Sequence, residues 1–218
     1  MSVKGFIIWM ACLCIFLIFT LMNVGEVFKV FCDNPELYAY FLGGCLIMFV
    51  VDKYTSTNNQ WLKTYHHENT HLLFNLITFR QILMLRVDAD GGLVSSMGRS
   101  KWMLEAVSLS PYCFPLAAYI VMGFGYFFAN DMSSIYALIL GIAYFFHLLC
   151  IKSDFGEWPL MGRGQPDINQ YPLSFSYLYI FSFWLFNTMI VLLSVRSDIV
   201  DAYLQMYDSF VGTIVSLF

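Results

Sequence analysis

Apolar residues run through this chain in long blocks broken by short polar punctuation, and the block lengths suit a bilayer better than a soluble core. A membrane-crossing helix needs roughly 17–25 mostly apolar residues. Six blocks approach or meet that need: Gly5–Val24, Pro35–Val51, Trp61–Phe79, Glu105–Ala129, Met132–Ile151 and Leu173–Val195. The pattern predicts an all-α polytopic membrane protein of about six transmembrane helices. The first block follows Lys4 as a secretory leader would, but it is long and no A-x-A-like site follows, so a retained span is expected. Gly43-Gly44 in the second block would let a neighbouring helix approach closely. The fourth and fifth blocks are separated only by the Asn130-Asp131 turn, which predicts an antiparallel helical pair.

Two stretches break the pattern. In Arg80–Lys101, Ile82–Val87 is rich in strand formers, "DADGG" is a turn signal and "LVSS" can form a return strand. A short membrane-associated β-hairpin is predicted there. In 198–218, apolar residues recur at helical spacing (Ile199, Ala202, Tyr203, Met206, Tyr207, Phe210), with Asp201, Gln205 and Asp208 opposite. This amphipathic C-terminal helix could lie on the membrane, pack on the bundle or pair with a partner.

Composition strengthens the membrane reading. The 218 residues are 59% hydrophobic and 12% charged, against about a quarter charged in an average soluble domain, and the mean hydropathy is +0.67. A net charge of −4 without a basic run gives no reason to expect nucleic acid. With no linker, repeat or low-complexity segment, one membrane domain over 1–218 is expected, its core at about 58–195. The six cysteines include no C-x-x-C pair and read as small packing residues. Counting Lys and Arg in the loops places Lys29, Arg80, Arg86, Arg99, Lys101, Lys152 and Arg163 on one side, and Lys4, Lys53 and Arg196 on the other. That bias predicts a cytoplasmic hairpin and a cytoplasmic Lys152–Pro172 loop, with the N-terminus outside. The expected location is integral and multi-pass, in the cytoplasmic or inner membrane if the source is bacterial.

One block does not look like a simple span. Tyr65–Phe79, "YHHENTHLLFNLITF", carries costly polar groups, and ionisable side chains in lipid must be paired, solvated or liganded. His67-Glu68-Asn69-Thr70-His71 fits H-E-x-x-H. Histidines four apart project from one helix face and can share one ion, while the intervening glutamate can reach a metal-activated water. His66 points to another side and reads as a bystander. A catalytic tetrahedral zinc usually takes a third protein ligand and keeps one open position. Candidates are His147, near the end of a span, Asp167 in "GRGQPDINQYPLSFS", and Asp154, which reads as an ordinary loop carboxylate.

"HENTH" in an apolar helix, the hairpin with "DGG", "LSPYCFPL" at Leu109–Leu116, and "GIAYFFHLL" followed by "QPDI" together resemble the site-2-protease-like intramembrane zinc metallopeptidases. The resemblance covers about Tyr65 to Asn187. It implies that His67 and His71 are zinc ligands, that Glu68 is the catalytic glutamate, and that an aspartate completes the set. Typical members place that aspartate in an LDG motif. None occurs here, and Asp167 of "QPDI" is the nearest analogue. The implied function is hydrolysis of peptide bonds in membrane-embedded substrates through a zinc-activated water. His147, when not a ligand, would stabilise the oxyanion. The hairpin would hold an unwound substrate as an added strand, with Asn69, Asn75 and Gln165 admitting water. The expected partners are a membrane protein or peptide substrate and the lipid bilayer, with control by a regulatory membrane partner or a homo-oligomer. The competing expectation is a non-catalytic membrane subunit or scaffold with a structural or degenerate metal site. A histidine-lined transporter would call for two related halves, which the sequence lacks. A hydrolase acting on lipids or prenylated peptides would share the same zinc chemistry.

Overall fold

The apolar blocks fold as helices in the computed structural model, which describes residues 3–55, 60–88, 91–98, 101–128, 133–156, 166–196 and 199–216. The Asn130-Asp131 turn, Ala89-Asp90 of the hairpin turn, Arg99, Arg163 and Gln165 lie outside these residues. Helix α1 (Val3–Met22) and α2 (Val24–Asp33) meet at Asn23, whose Nδ2 donates back to the Phe19 carbonyl at 2.9 Å. Together they form a 28-residue apolar stretch, Phe6–Asp33, longer than the expected first span. Pro35 then opens α3 (Pro35–Thr55), at the position where its missing N–H costs nothing.

Helix α3 packs on α7 (Ser133–Gly156) with almost no space between the backbones. A Cβ at Gly44 would overlap the Leu138 carbonyl oxygen, and one at Gly141 would overlap the Phe41 carbonyl oxygen. The Cys45 thiol donates to the Gly141 carbonyl at 3.4 Å across this crossing. Gly44 therefore does what its sequence context suggested, while a Cβ on neighbouring Gly43 would meet nothing within 4 Å. The main core gathers around this pair from α2, α3, α6 (Leu116–Phe128), α7, α9 (Leu173–Leu193) and α10 (Ile199–Ser216). Ala202 and Met206 of α10 are part of that core, so the C-terminal helix packs on the bundle.

Four described helical stretches are long and apolar enough to cross a membrane: Phe6–Asp33, Pro35–Thr55, Ser133–Asp154 and Leu173–Leu193. Two of the six expected spans differ. Glu105–Ala129 is broken: α5 (Lys101–Leu109) runs into a 3-10 turn at Ser110–Tyr112, and the two halves are bent by 85°. Pro115 has no N–H to continue the ladder and its ring crowds the preceding turn. The backbone closes instead on the Ser110 carbonyl, which accepts from Cys113 at 3.1 Å and Phe114 at 2.8 Å. Counted as one, the bent pair would make a fifth span.

The other difference is α4 (Gln60–Ile77), too polar to count by composition. Its burial is inverted relative to a soluble helix. Lys63, His66, Glu68, Thr70, His71 and Asn75 are buried, while Trp61, Leu62, Tyr65, Leu76 and Ile77 are exposed. Lys63 is held by Asp52 of α3 at 2.7 Å. Beyond α4 the predicted hairpin forms from β1 (Gln81–Asp88) and β2 (Gly91–Met97), antiparallel, with Val87 opposite Gly92 and an irregularity between Ile82 and Met84. All six cysteines are free.

The α3–α7 contact yields a paired prediction. Gly44→Leu must force the two backbones apart and should destabilise the bundle by about 1–3 kcal/mol, lowering the thermal midpoint in detergent. Gly43→Ala, with open space for its Cβ, should leave the midpoint unchanged or slightly raised.

Candidate metal centre

His67 and His71 stand one turn apart on α4 and project from the same face. Asp167, in the short helix α8 (Pro166–Asn169) just ahead of α9, comes to them from the other side. The three inward atoms form a small triangle. His67 Nε2 and His71 Nε2 are 3.1 Å apart, and Asp167 Oδ2 lies 3.3 Å from His71 Nε2 and 3.6 Å from His67 Nε2. Ligand atoms on a tetrahedral ion at about 2.0–2.1 Å are separated by about 3.3–3.4 Å, so the triangle has the size of one coordination face. His67, His71 and Asp167 are a group that could hold a metal ion.

The outer contacts fix how the rings are protonated. His71 Nδ1 lies 2.8 Å from the carbonyl of Val107, which only accepts, so Nδ1 carries the proton and Nε2 turns a lone pair inward. His67 Nδ1 lies 3.0 Å from Asp154 Oδ2, and an ionised carboxylate imposes the same tautomer. Two imidazole lone pairs and a carboxylate oxygen then face one point, an arrangement that needs positive charge at its centre. Burial pushes the Asp167 carboxyl up, but hydrogen bonding with His67 and His71 outweighs this and holds it well below the usual carboxylate range. The other Asp167 oxygen is steered by Gln170, whose Nε2 donates to Oδ1 at 3.5 Å and whose Oε1 accepts from Ser108 Oγ at 3.5 Å.

Glu68 is buried beside the group without belonging to it. The backbone of β2 lies directly on it: a Cβ at Gly92 would overlap the Glu68 Cγ, with Cδ and Oε1 each 2.5 Å away. A cavity of about 370 Å³ opens here, bounded by Glu68, His71 and Asn75 of α4, Gly92–Ser96 of β2, Val107 and Ser108 of α5, and Asp167. Its size is within the range of small-ligand pockets.

The sequence expectations meet this geometry unevenly. His67, His71 and Asp167 come together and Glu68 stands beside them. His147 does not join them. It is fully buried, and its ring packs against His66, with centroids 5.7 Å apart. Successive helix residues are rotated by about 100°, so contact with His66 puts His147 against a different face of α4 from the ligand group. Asp154 is no ordinary loop carboxylate: α7 continues through it, and it holds His67. Missed from sequence were this role, the Val107 carbonyl, Gly92 over Glu68, and Tyr112, whose ring stands edge-on to His67 at 5.5 Å. A backbone carbonyl carries no residue signature, and "DADGG" reads as a turn whether or not one glycine must clear a side chain.

No family model, no curated protein and no solved structure matches the chain. Its chemistry rests on its own residues.

Metal content by mass spectrometry separates the roles. The parent should carry one ion per chain, His71→Ala and Asp167→Ala should lose it, and His147→Ala should keep it. Asp154→Ala, which frees His67 to turn, should weaken affinity by about 10–100-fold. An empty His147→Ala protein beside a loaded Asp167→Ala protein would reassign the third ligand.

Proposed function

We propose that this chain is an intramembrane zinc metallopeptidase that hydrolyses peptide bonds of membrane-embedded substrates. The observation that carries the reading is the triangle of His67, His71 and Asp167 with Glu68 next to it, opening onto a cavity walled by a strand. Two nitrogens and one oxygen at tetrahedral spacing are a donor set typical of catalytic zinc, which keeps a further position open. Zinc there would supply Lewis acidity and lower the pKa of water at the open position towards 7.

The chain's own residues would do the rest. Glu68 takes the proton of the attacking water and passes it to the leaving amine as the peptide bond breaks. Asp154 and the Val107 carbonyl keep the two imidazoles in the ligating tautomer. Gln170 orients Asp167. A peptide bond within a helix is already hydrogen-bonded, so the substrate must be drawn out; β2 borders the cavity along Gly92–Ser96 and can accept it as an added strand. The polar lining of Asn75, Ser95, Ser96 and Ser108 gives water a favourable place inside an otherwise apolar bundle.

The test is Glu68→Gln, scored against a panel of single-span reporter peptides in liposomes. The variant should retain the metal and lose about 10²–10⁴-fold in cleavage rate. Unchanged cleavage would remove Glu68 from the chemistry. A metal-loaded parent inactive on every reporter would favour a non-catalytic membrane subunit.

A further inference from the structure

Helix α9 carries one side-chain amide in its apolar run, Asn187 in "WLFNTMI", and it is buried. A buried amide is costly unless its donors and its oxygen all find partners. Asn187 finds them in a way that fixes its orientation. Both amide protons go to carbonyls, which only accept: Nδ2 donates to Phe183 of its own helix at 2.7 Å and to Cys113 at 3.0 Å. Oδ1 therefore faces Tyr119 of α6, whose hydroxyl donates to it at 2.6 Å. With its one proton spent there, the Tyr119 oxygen accepts from the hydroxyl of Tyr203 on α10, 3.0 Å away. The Cys113 carbonyl needs an outside donor, because it lies in the break between α5 and α6 and belongs to neither helix.

The hydrogen bonds do not stop at the break. The Cys113 N–H donates to the Ser110 carbonyl at 3.1 Å, Ser110 Oγ donates to the Val107 carbonyl at 2.8 Å, and that same carbonyl accepts from His71 Nδ1 at 2.8 Å. A series of hydrogen bonds, passing through Cys113 and Ser110, thus runs from the exposed Tyr203 on the C-terminal helix to a ring of the metal group. Stacked rings run beside it. Tyr119 lies on Phe114 with centroids 4.3 Å apart and planes inclined at 18°, and Phe114 meets Phe74 edge-on at 5.2 Å. Phe74 stands three residues beyond His71 on α4. A short 3-10 turn inside an interrupted helix is where such a pair can hinge, and both sets of contacts grip the chain there. Neither Tyr119 nor Asn187 belongs to the metal group or lines the cavity beside it.

We propose that Asn187 and Tyr119 are positioning residues for the metal group, and that α10 takes part through Tyr203. Together they hold the α5–α6 break where the Val107 carbonyl meets His71 Nδ1, which keeps His71 Nε2 turned towards the ion. None of the three touches metal or substrate. This rests on the zinc reading of the group and is independent of the peptidase activity.

The test measures zinc affinity and the visible spectrum of the cobalt-substituted full-length protein, whose d–d bands follow ligand geometry. Asn187→Leu, similar in volume and without donors, should weaken zinc binding by about 3–30-fold, the size of coupling carried by residues that touch no ligand, and should shift the cobalt bands. Tyr119→Phe, which keeps the stack on Phe114, and Tyr203→Phe should change both readouts in the same direction by less. Tyr119→Phe decides the case if Asn187→Leu does not fold. The control is Tyr144→Phe, which removes a 2.7 Å hydrogen bond to Thr188, the next residue on α9. It should lower the thermal midpoint and leave affinity and spectrum unchanged. Parental affinity and spectrum in Asn187→Leu and Tyr119→Phe overturn the proposal and leave the metal group standing. An equal loss of affinity in Tyr144→Phe marks the effect as general loosening and also overturns it. A parent that binds neither zinc nor cobalt overturns the metal reading and this proposal with it.

Discussion

Three electron pairs pointed at one place are the constraint around which this molecule is organised. Lone pairs on His67 and His71 and an oxygen of Asp167 repel one another at 3.1–3.6 Å unless positive charge lies between them. Each is also held from behind: His67 by Asp154, His71 by the Val107 carbonyl, Asp167 by Gln170. Outer partners of this kind keep free rings and carboxylates from rotating away when the centre is empty, and they raise the basicity of the ligands. The elements that supply them are α7, α5 and the segment around α8, so three otherwise separate parts of the chain converge on one turn of α4.

That convergence explains the inverted burial of α4. A helix carrying Lys63, His66, His67, Glu68, His71 and Asn75 cannot turn that face towards an apolar surrounding, and here it does not: the polar face is inside and the aromatic and aliphatic residues are outside. The broken helix follows from the same need. A continuous α5–α6 helix would satisfy its own backbone carbonyls and have none to spare near its middle. Ending α5 before the Pro111–Pro115 segment leaves the Val107 carbonyl able to hold His71, and also to accept from Ser110 Oγ at 2.8 Å.

The legible parts of the sequence were those governed by local periodicity or by a fixed short spacing. The apolar blocks gave the helices, the strand-forming run Ile82–Val87 with "DADGG" gave the hairpin, and the i, i+4 histidines gave two members of the group that could hold a metal ion. Asp167 was reachable because "QPDI" resembled a ligand-bearing motif. Asp154 and His147 were misjudged for one shared reason. Both lie on α7, and which of them meets His67 depends on the angle at which α7 crosses α4, a tertiary quantity that neither residue's neighbours encode. The α5–α6 break was hidden by composition: the block is apolar enough to read as a span, and the two prolines that break it were read as part of a motif rather than as geometry.

The same dependence runs further than the site itself. Asp154 stands thirteen residues beyond Gly141, about 20 Å along α7, at the end of a helix whose position is set by backbone contact with α3 at Gly44 and Gly141. Asp52, on the same α3, ties Lys63 of α4 at 2.7 Å. Helix α3 thus positions both the helix that bears His67 and His71 and the helix that bears Asp154, the carboxylate partner of His67, although it contributes no residue to the group. A change in the glycine contact would be carried along a stiff helix to the His67–Asp154 hydrogen bond, which holds the His67 ring from behind. For a chain with costly polar groups inside its bundle, close backbone packing between α3 and α7 is therefore part of how the metal group keeps its shape.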